Sequence, residues 1–198
     1  MSVHLAAELT GKPEDATVRY VIDAGASTLT ARAFVTGLLA SFGHNPVIAV
    51  PDVEGEICLH SEAIEQSSVR LTIHADALAV TGDMSDKDRN EINRKMHEEV
   101  LESDSYPNIV FESTHGSASQ TGDGQYWLAL NGQLTLHGVT RPQAVSGRVS
   151  LEGDTLRATG EFSVLLSDYE IRPVSAVGGT VKLKDEIKLS FTTSARKA

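Results

Sequence analysis

The chain's most versatile chemical groups are seven histidines and one cysteine. Neutral imidazole and thiolate are common ligands for zinc and related ions, and either group can serve nucleophilic or acid–base chemistry. The spacing argues against both uses. His44, His60, His74, His97, His115 and His137 lie more than ten residues apart, without a His-x-His or His-x-x-x-His pair. A metal site would need ligands to converge from distant strands. Cys58 has Glu56 and His60 at strand spacing, yet it would be reactive only if exposed beside a base. There is no Gly-x-Ser-x-Gly elbow, no Gly-x-x-x-x-Gly-Lys phosphate loop and no dinucleotide fingerprint. The acids lie mostly on one helix and in turns, where solvation accounts for them. The sequence therefore predicts no catalytic residue, no metal ligand and no cofactor.

Composition narrows the classes further. At 198 residues, 40% of them hydrophobic and 22% charged, the chain is long enough for one globular domain with a real core. A formal net charge of -10 disfavours nucleic acid and anionic membrane surfaces as partners. With a single cysteine no intramolecular disulfide forms, so nothing requires an oxidising compartment. The start offers His4, Glu8 and Lys12 around a short Leu5-Ala6-Ala7 patch, not the basic and then apolar run of a secretory signal. No apolar run approaches the roughly 18 residues of an integral membrane segment. The expected location is the cytoplasm, or the periplasm if a leader has been removed.

Residues 1–17 read as a loose arm and 18–198 as one β domain. Tyr126, Leu128, Leu130, Leu134 and Leu136 alternate with polar residues, as do Ile187, Leu189 and Phe191. A period of two buries one face of a strand. Strands are predicted at Val18–Asp23, Thr28–Thr36, Pro46–Val50, Glu54–His60, Val69–Val80, Asn108–Ser117, Gln125–Leu136, Gln143–Leu151, Thr155–Leu165 and Glu186–Ser194. One helix is predicted from about Ser85 to Leu101. Ser85 caps it with Asp88 three residues on, Ile92, Met96 and Val100 form a stripe, and Glu91 precedes Lys95 by four.

Register follows from matching faces. A Gly153-Asp154 turn sets Leu151 opposite Leu156, Val149 opposite Ala158 and Gly147 opposite Gly160. A four-residue turn at Thr121–Gly124 sets Phe111 opposite Leu134 and Ser113 opposite Gly132. A turn at Asn131-Gly132 would oppose Leu130 to Gln133, so Gly132 is read as a bend in a continuous strand. His74 and His137 fall on polar faces by parity, which favours solvent. Arg141-Pro142 reads as a turn. Sequential hairpins of this kind predict an antiparallel up-and-down β-barrel.

The predicted inward face carries Leu71, Ile73, Leu128, Leu130, Leu134, Leu136, Phe162, Val164, Ile187 and Leu189. Interspersed are Ala31, Ala33, Ala75, Ala77, Ala158, Gly147 and Gly160. Small residues on so many strands leave either an open interior or one filled by larger neighbours. Two functions follow. One is binding of a long apolar molecule inside; the other is a filled β domain that binds another protein on its outer face. The helix is a lid over the interior or a helix merely packed on the sheet.

Several motifs recur in one order: Tyr20-Val21-Ile22-Asp23, Phe42-Gly43-His44, Gly55-Glu56-Ile57, the Arg89 helix, Tyr106-Pro107-Asn108-Ile109-Val110-Phe111 and Leu134-Thr135-Leu136-His137-Gly138-Val139-Thr140-Arg141-Pro142. In this the chain resembles the YceI-like lipid-binding family from Tyr20 onward. The resemblance implies an all-β fold with one helix, a lipocalin-like eight-stranded antiparallel barrel. It further implies an apolar tunnel for a polyisoprenoid, isoprenoid quinone or fatty-acid derivative, binding or transport without catalysis, and a homodimer. His44 at the tunnel mouth and Arg89 near a ligand head group also rest on it. The chain departs from the family pattern at two places. Ala26-Ser27 stands where a His-Ser pair is common, and Leu166-Ser167-Asp168-Tyr169-Glu170 replaces an Arg-x-Asp-aromatic-Gly pattern.

Overall fold

The computed structural model describes residues 17–36, 45–60, 63–172, 175–176 and 181–198. The predicted arm and the Phe42-Gly43-His44 motif lie outside these, apart from Thr17. Strands β1 (Thr17–Ile22), β2 (Thr28–Thr36), β3 (Val47–Val50), β4 (Val53–His60), β5 (Ser68–His74) and β6 (Ala79–Thr81) precede helix α1 (Asp86–Lys95). After it come β7 (Asn108–Gly122), β8 (Gln125–Leu136), β9 (Val139–Glu152), β10 (Thr155–Leu165), the short β11 (Ser175–Ala176) and β12 (Val181–Lys197).

Hydrogen bonding runs β1-β4-β5-β7-β8-β9-β10-β12, and β12 pairs back to β1, closing an eight-stranded antiparallel barrel. The wall forks at β12. One edge of β12 holds β10; the other holds β2 over Lys182–Thr192 and β1 over Ala195–Lys197. From β2 the sheet continues through β3 to β6 as a flap that departs from the hydrogen-bonded ring, and β2 and β3 still line the interior. Ser27 stitches the fork, since its hydroxyl donates to the Asp23 carbonyl at 2.7 Å and accepts from the Ser194 amide at 3.0 Å. The Ala26-Ser27 departure was expected to leave no polar contact at this place, and Ser27 makes one.

The face-matching argument holds at β9–β10, where Leu151 opposes Leu156, Val149 opposes Ala158 and Gly147 opposes Gly160. The paired glycines mark a tight corner: a Cβ on Gly160 would lie 2.4 Å from the Ser146 carbonyl and 2.6 Å from the Phe191 ring. β8 runs unbroken through Asn131-Gly132, and Phe111 opposes Leu134 as expected. The turn that joins β7 to β8 differs. It is Asp123-Gly124 alone, and β7 absorbs the offset with bulges that leave Thr114 and Thr121 as extra residues. Bulges of this kind bend a strand and increase its twist, which a closing wall requires.

Other expectations are corrected. The single strand expected over Val69–Val80 breaks at a 3-10 turn, Ala75–Ala77, so β6 leaves the barrel wall and pairs with β3. β9 begins at Val139, not Gln143, and Arg141-Pro142 lies within that strand. Arg141 donates to the Asp168 carbonyl at 3.0 Å. His137 is no strand residue facing solvent. With Gly138 it forms the β8–β9 turn, both at positive φ, and its side chain is 12% exposed against the Tyr106 ring. The helix starts as predicted, with Ser85 accepting from the Asp88 amide at 3.1 Å, but beyond Lys95 it widens into a π-helical turn, Met96–Val100.

Candidate ligand cavity

The barrel encloses a cavity of about 1000 Å³ with an almost wholly apolar lining. All ten apolar residues expected inside border it, and their placement follows strand parity. β5 contributes Leu71 and Ile73, and β8 contributes Leu128, Leu130, Leu134 and Leu136. β10 contributes Phe162 and Val164, and β12 contributes Ile187 and Leu189. From Tyr126 to Leu136 β8 extends roughly 34 Å at about 3.4 Å per residue. At a barrel tilt near 40° the cavity spans roughly 25 Å along the axis.

Among the described residues, no side chains close the interior. Leu71, Leu128, Phe162, Ile187 and Leu189 point inward yet are only partly buried, because the surface they retain faces the void. Small residues hold the space open: Ala31, Ala33, Ala158 and Gly147 all border it. Ala75 and Ala77, expected on the same face, instead make the 3-10 turn before β6. Leu166, Tyr169 and Ile171, each 4% exposed or less, pack into the core after β10, and of the three Leu166 borders the cavity. In that turn Glu170 adopts the left-handed conformation at φ 60, the position that a glycine in the family pattern would occupy without strain.

Helix α1 covers the flap side of the cavity. Its face bearing Asp88, Glu91, Ile92 and Lys95 borders the void, as do Met96 and Val100 of the π turn. No residue of α1 is fully buried. The helix is held instead by polar contacts to the outer edge of β6: the Val80 amide donates to Asn93 Oδ1 at 2.8 Å, and Arg89 donates to the carbonyls of Val80 and Gly82 at 3.2 and 3.1 Å. Asn93 and Arg89 are four apart and so share a helical face. They satisfy an edge strand that would otherwise present bare backbone. Arg89, expected near a head group, is thus committed to this edge and does not border the cavity. His44 lies outside the described residues.

The groups that opened the sequence reading stay away from the void. Among the described residues no histidine borders the cavity, nor does Cys58, and no three His, Cys, Asp or Glu side chains come close enough to hold a metal ion. His137 Nε2 is buried 3.5 Å from Glu102 Oε1, at the junction of the helix's end with the β8–β9 turn. Sequence parity missed the charged cavity face of α1, because an amphipathic helix is ordinarily read with its charges outward. The spacing of Asp88, Glu91 and Lys95 with Ile92 and Met96 was the available signal.

The sequence profile of the YceI-like domain matches residues 20–195. A UPF0312 protein of Shewanella oneidensis is 26% identical over 160 residues, 77% of this chain and 76% of that one. A UPF0312 protein of Shewanella baltica is 24% identical over 179 residues, 87% of this chain and 86% of that one. Among solved structures, Burkholderia cenocepacia BcnA superposes with a TM-score of 0.66 at 17% identity, over 87% of this chain and 98% of BcnA. A polyisoprenoid binding domain from Saccharophagus degradans, implicated in plant cell wall breakdown, gives 0.65 at 13% identity, over 91% and 99%. These likenesses bear on the fold.

Proposed function

Because this chain belongs to the YceI-like domain family, we propose that it binds a long-chain amphiphilic lipid, a polyisoprenoid, isoprenoid quinone or fatty-acid derivative, inside the barrel and carries it without chemical change. The observation that carries this reading is the open interior of about 1000 Å³, apolar along the whole length of β8. The polyisoprenoid binding domain of Saccharophagus degradans, similar in fold, supports it. A span of roughly 25 Å exceeds the roughly 15 Å that one leaflet gives an acyl chain, half of a hydrocarbon core of about 30 Å. That favours a chain longer than an ordinary acyl tail. Hiding about 400 Å² of apolar ligand surface contributes on the order of 10 kcal/mol before ordering costs. The rival, a protein-binding β domain, calls for a filled interior, and the open space among the described residues favours the carrier reading over it.

Organic extraction of the purified protein followed by mass spectrometry tests the reading. One isoprenoid or other long-chain lipid is expected in near-stoichiometric amount. Repeated recovery of none, together with failure of the protein to take up a neutral apolar dye, would overturn it.

A further inference from the structure

Sulfur is distributed unevenly in this chain, which has three methionines and one cysteine. Met84 and Met96 both border the cavity. Cys58 does not, although its neighbours on β4, Ile57 and Leu59, do. Met1 lies outside the described residues. The two cavity methionines stand at the two ends of α1: Met84 immediately precedes the N-cap Ser85, and Met96 is the C-cap, where the helix passes into the π-helical turn. The Leu101 amide donates to the Met96 carbonyl at 2.8 Å and closes that turn.

Both residues are half-buried. Met84 lies between exposed Asp83 and Ser85, so its thioether stands where the void meets solvent. Met96 shares a stripe with Ile92 and Val100 at four-residue spacing, and Glu98 and Glu99 beside it are exposed. Packing in such a stripe asks only for an apolar side chain. A thioether adds a polarizable sulfur that oxidants attack.

Resting on the carrier reading, we propose that Met84 and Met96 are paired oxidation sites, which a small hydroperoxide from solvent converts to sulfoxides so that the barrel releases its lipid. A lone pair of the thioether sulfur attacks the terminal oxygen of the hydroperoxide. An S–O bond forms as the O–O bond breaks, and the leaving oxygen takes up the hydroperoxide proton and departs as water or an alcohol. Sulfur gives up the two electrons that the peroxide gains. The product is a polar sulfoxide in place of an apolar thioether. Against an almost wholly apolar lining the new oxygen is costly to keep, and turning it to water draws an end of α1 off the barrel. The helix yields readily, because it buries no residue fully and is held to β6 through Arg89 and Asn93.

The test loads the full chain with Nile red, treats it with hydrogen peroxide and follows release of the dye. Peptide mass spectrometry is expected to find one added oxygen on each of Met84 and Met96, mapped apart from Met1 and Cys58. Release should quicken about tenfold, the size expected for an uncompensated polar group at an apolar wall. Methionine sulfoxide reductases A and B together should restore slow release. The double substitution Met84→Leu, Met96→Leu keeps an apolar lining of similar volume, so it should hold the dye as the untreated parent does and be indifferent to peroxide. Circular dichroism should show the β signal unchanged throughout. Sulfurs that stay unmodified, release unaltered once both are oxidised, equal quickening in the double variant, or loss of the β signal along with the dye overturns the inference and leaves the carrier reading standing. Failure of the untreated protein to take up the dye overturns the two together.

Discussion

Tyr169 is 2% exposed in the turn after β10, and its phenol is pushed above its ordinary range by burial and by the Asp168 charge, with Arg141 acting in opposition. The folded protein therefore holds this proton to higher pH than the unfolded chain does. Its contribution to stability is fully present below the ordinary phenol range near about 10 and is lost as pH rises through the folded value. Tyr169→Phe should remove that dependence, so that in thermal melts between neutral and strongly alkaline pH the variant loses less stability than the parent. Parallel curves would assign the alkaline loss to other groups. The residue scale also shows where sequence reading stops. The Asp168-Tyr169 pair was legible as a motif, but that its ring is buried in the core depends on strand closure, which no local pattern states. His137 was misread for a similar reason. Parity places a side chain correctly only while the strand continues, and the chain turns at His137.

Among the elements, α1 is the one whose attachment is most separable from the rest. Three hydrogen bonds from Arg89 and Asn93 to the β6 edge hold a helix that buries no residue fully. The double substitution Arg89→Ala, Asn93→Ala should quicken release of a bound apolar dye in stopped-flow mixing by about a hundredfold, because three such bonds at about 1 kcal/mol net each contribute about 3 kcal/mol. The global melting midpoint should fall by roughly 6–12 °C, at roughly 2–4 °C per kcal/mol in a chain of this size. An unchanged release rate would make α1 a packed helix and not a lid. Start and stripe of this helix were both legible, the first from Ser85 and Asp88, the second from Ile92, Met96 and Val100. So was the β9–β10 register, since only one turn put apolar opposite apolar along its length. The bulges at Thr114 and Thr121 were not, nor was the departure of β6 from the wall. Both are answers to ring closure, a demand that strands distant in sequence make on one another.

At the scale of the whole molecule the empty interior is what distinguishes this barrel from a packed β domain, and the small residues facing it sustain the emptiness. Ala158→Trp would set an indole into the void from β10. Dye capacity and extractable lipid should drop by roughly half or more, with the β signal in circular dichroism retained and the melting midpoint equal or higher. Undiminished capacity would place the binding volume elsewhere.

The seam at β12 has a consequence for how such a barrel comes into being. Its first strand waits for its final one, since β1 joins the ring only through β4 and β12. While the chain is being synthesised the growing sheet lies open, with its greasy side uncovered and two edges bare, and pairing partners so far apart slow its completion. A hydrophobic guest met at that stage need not thread a narrow door. It would be wrapped as the last strand arrives, and cargo and cradle would then be products of one assembly event.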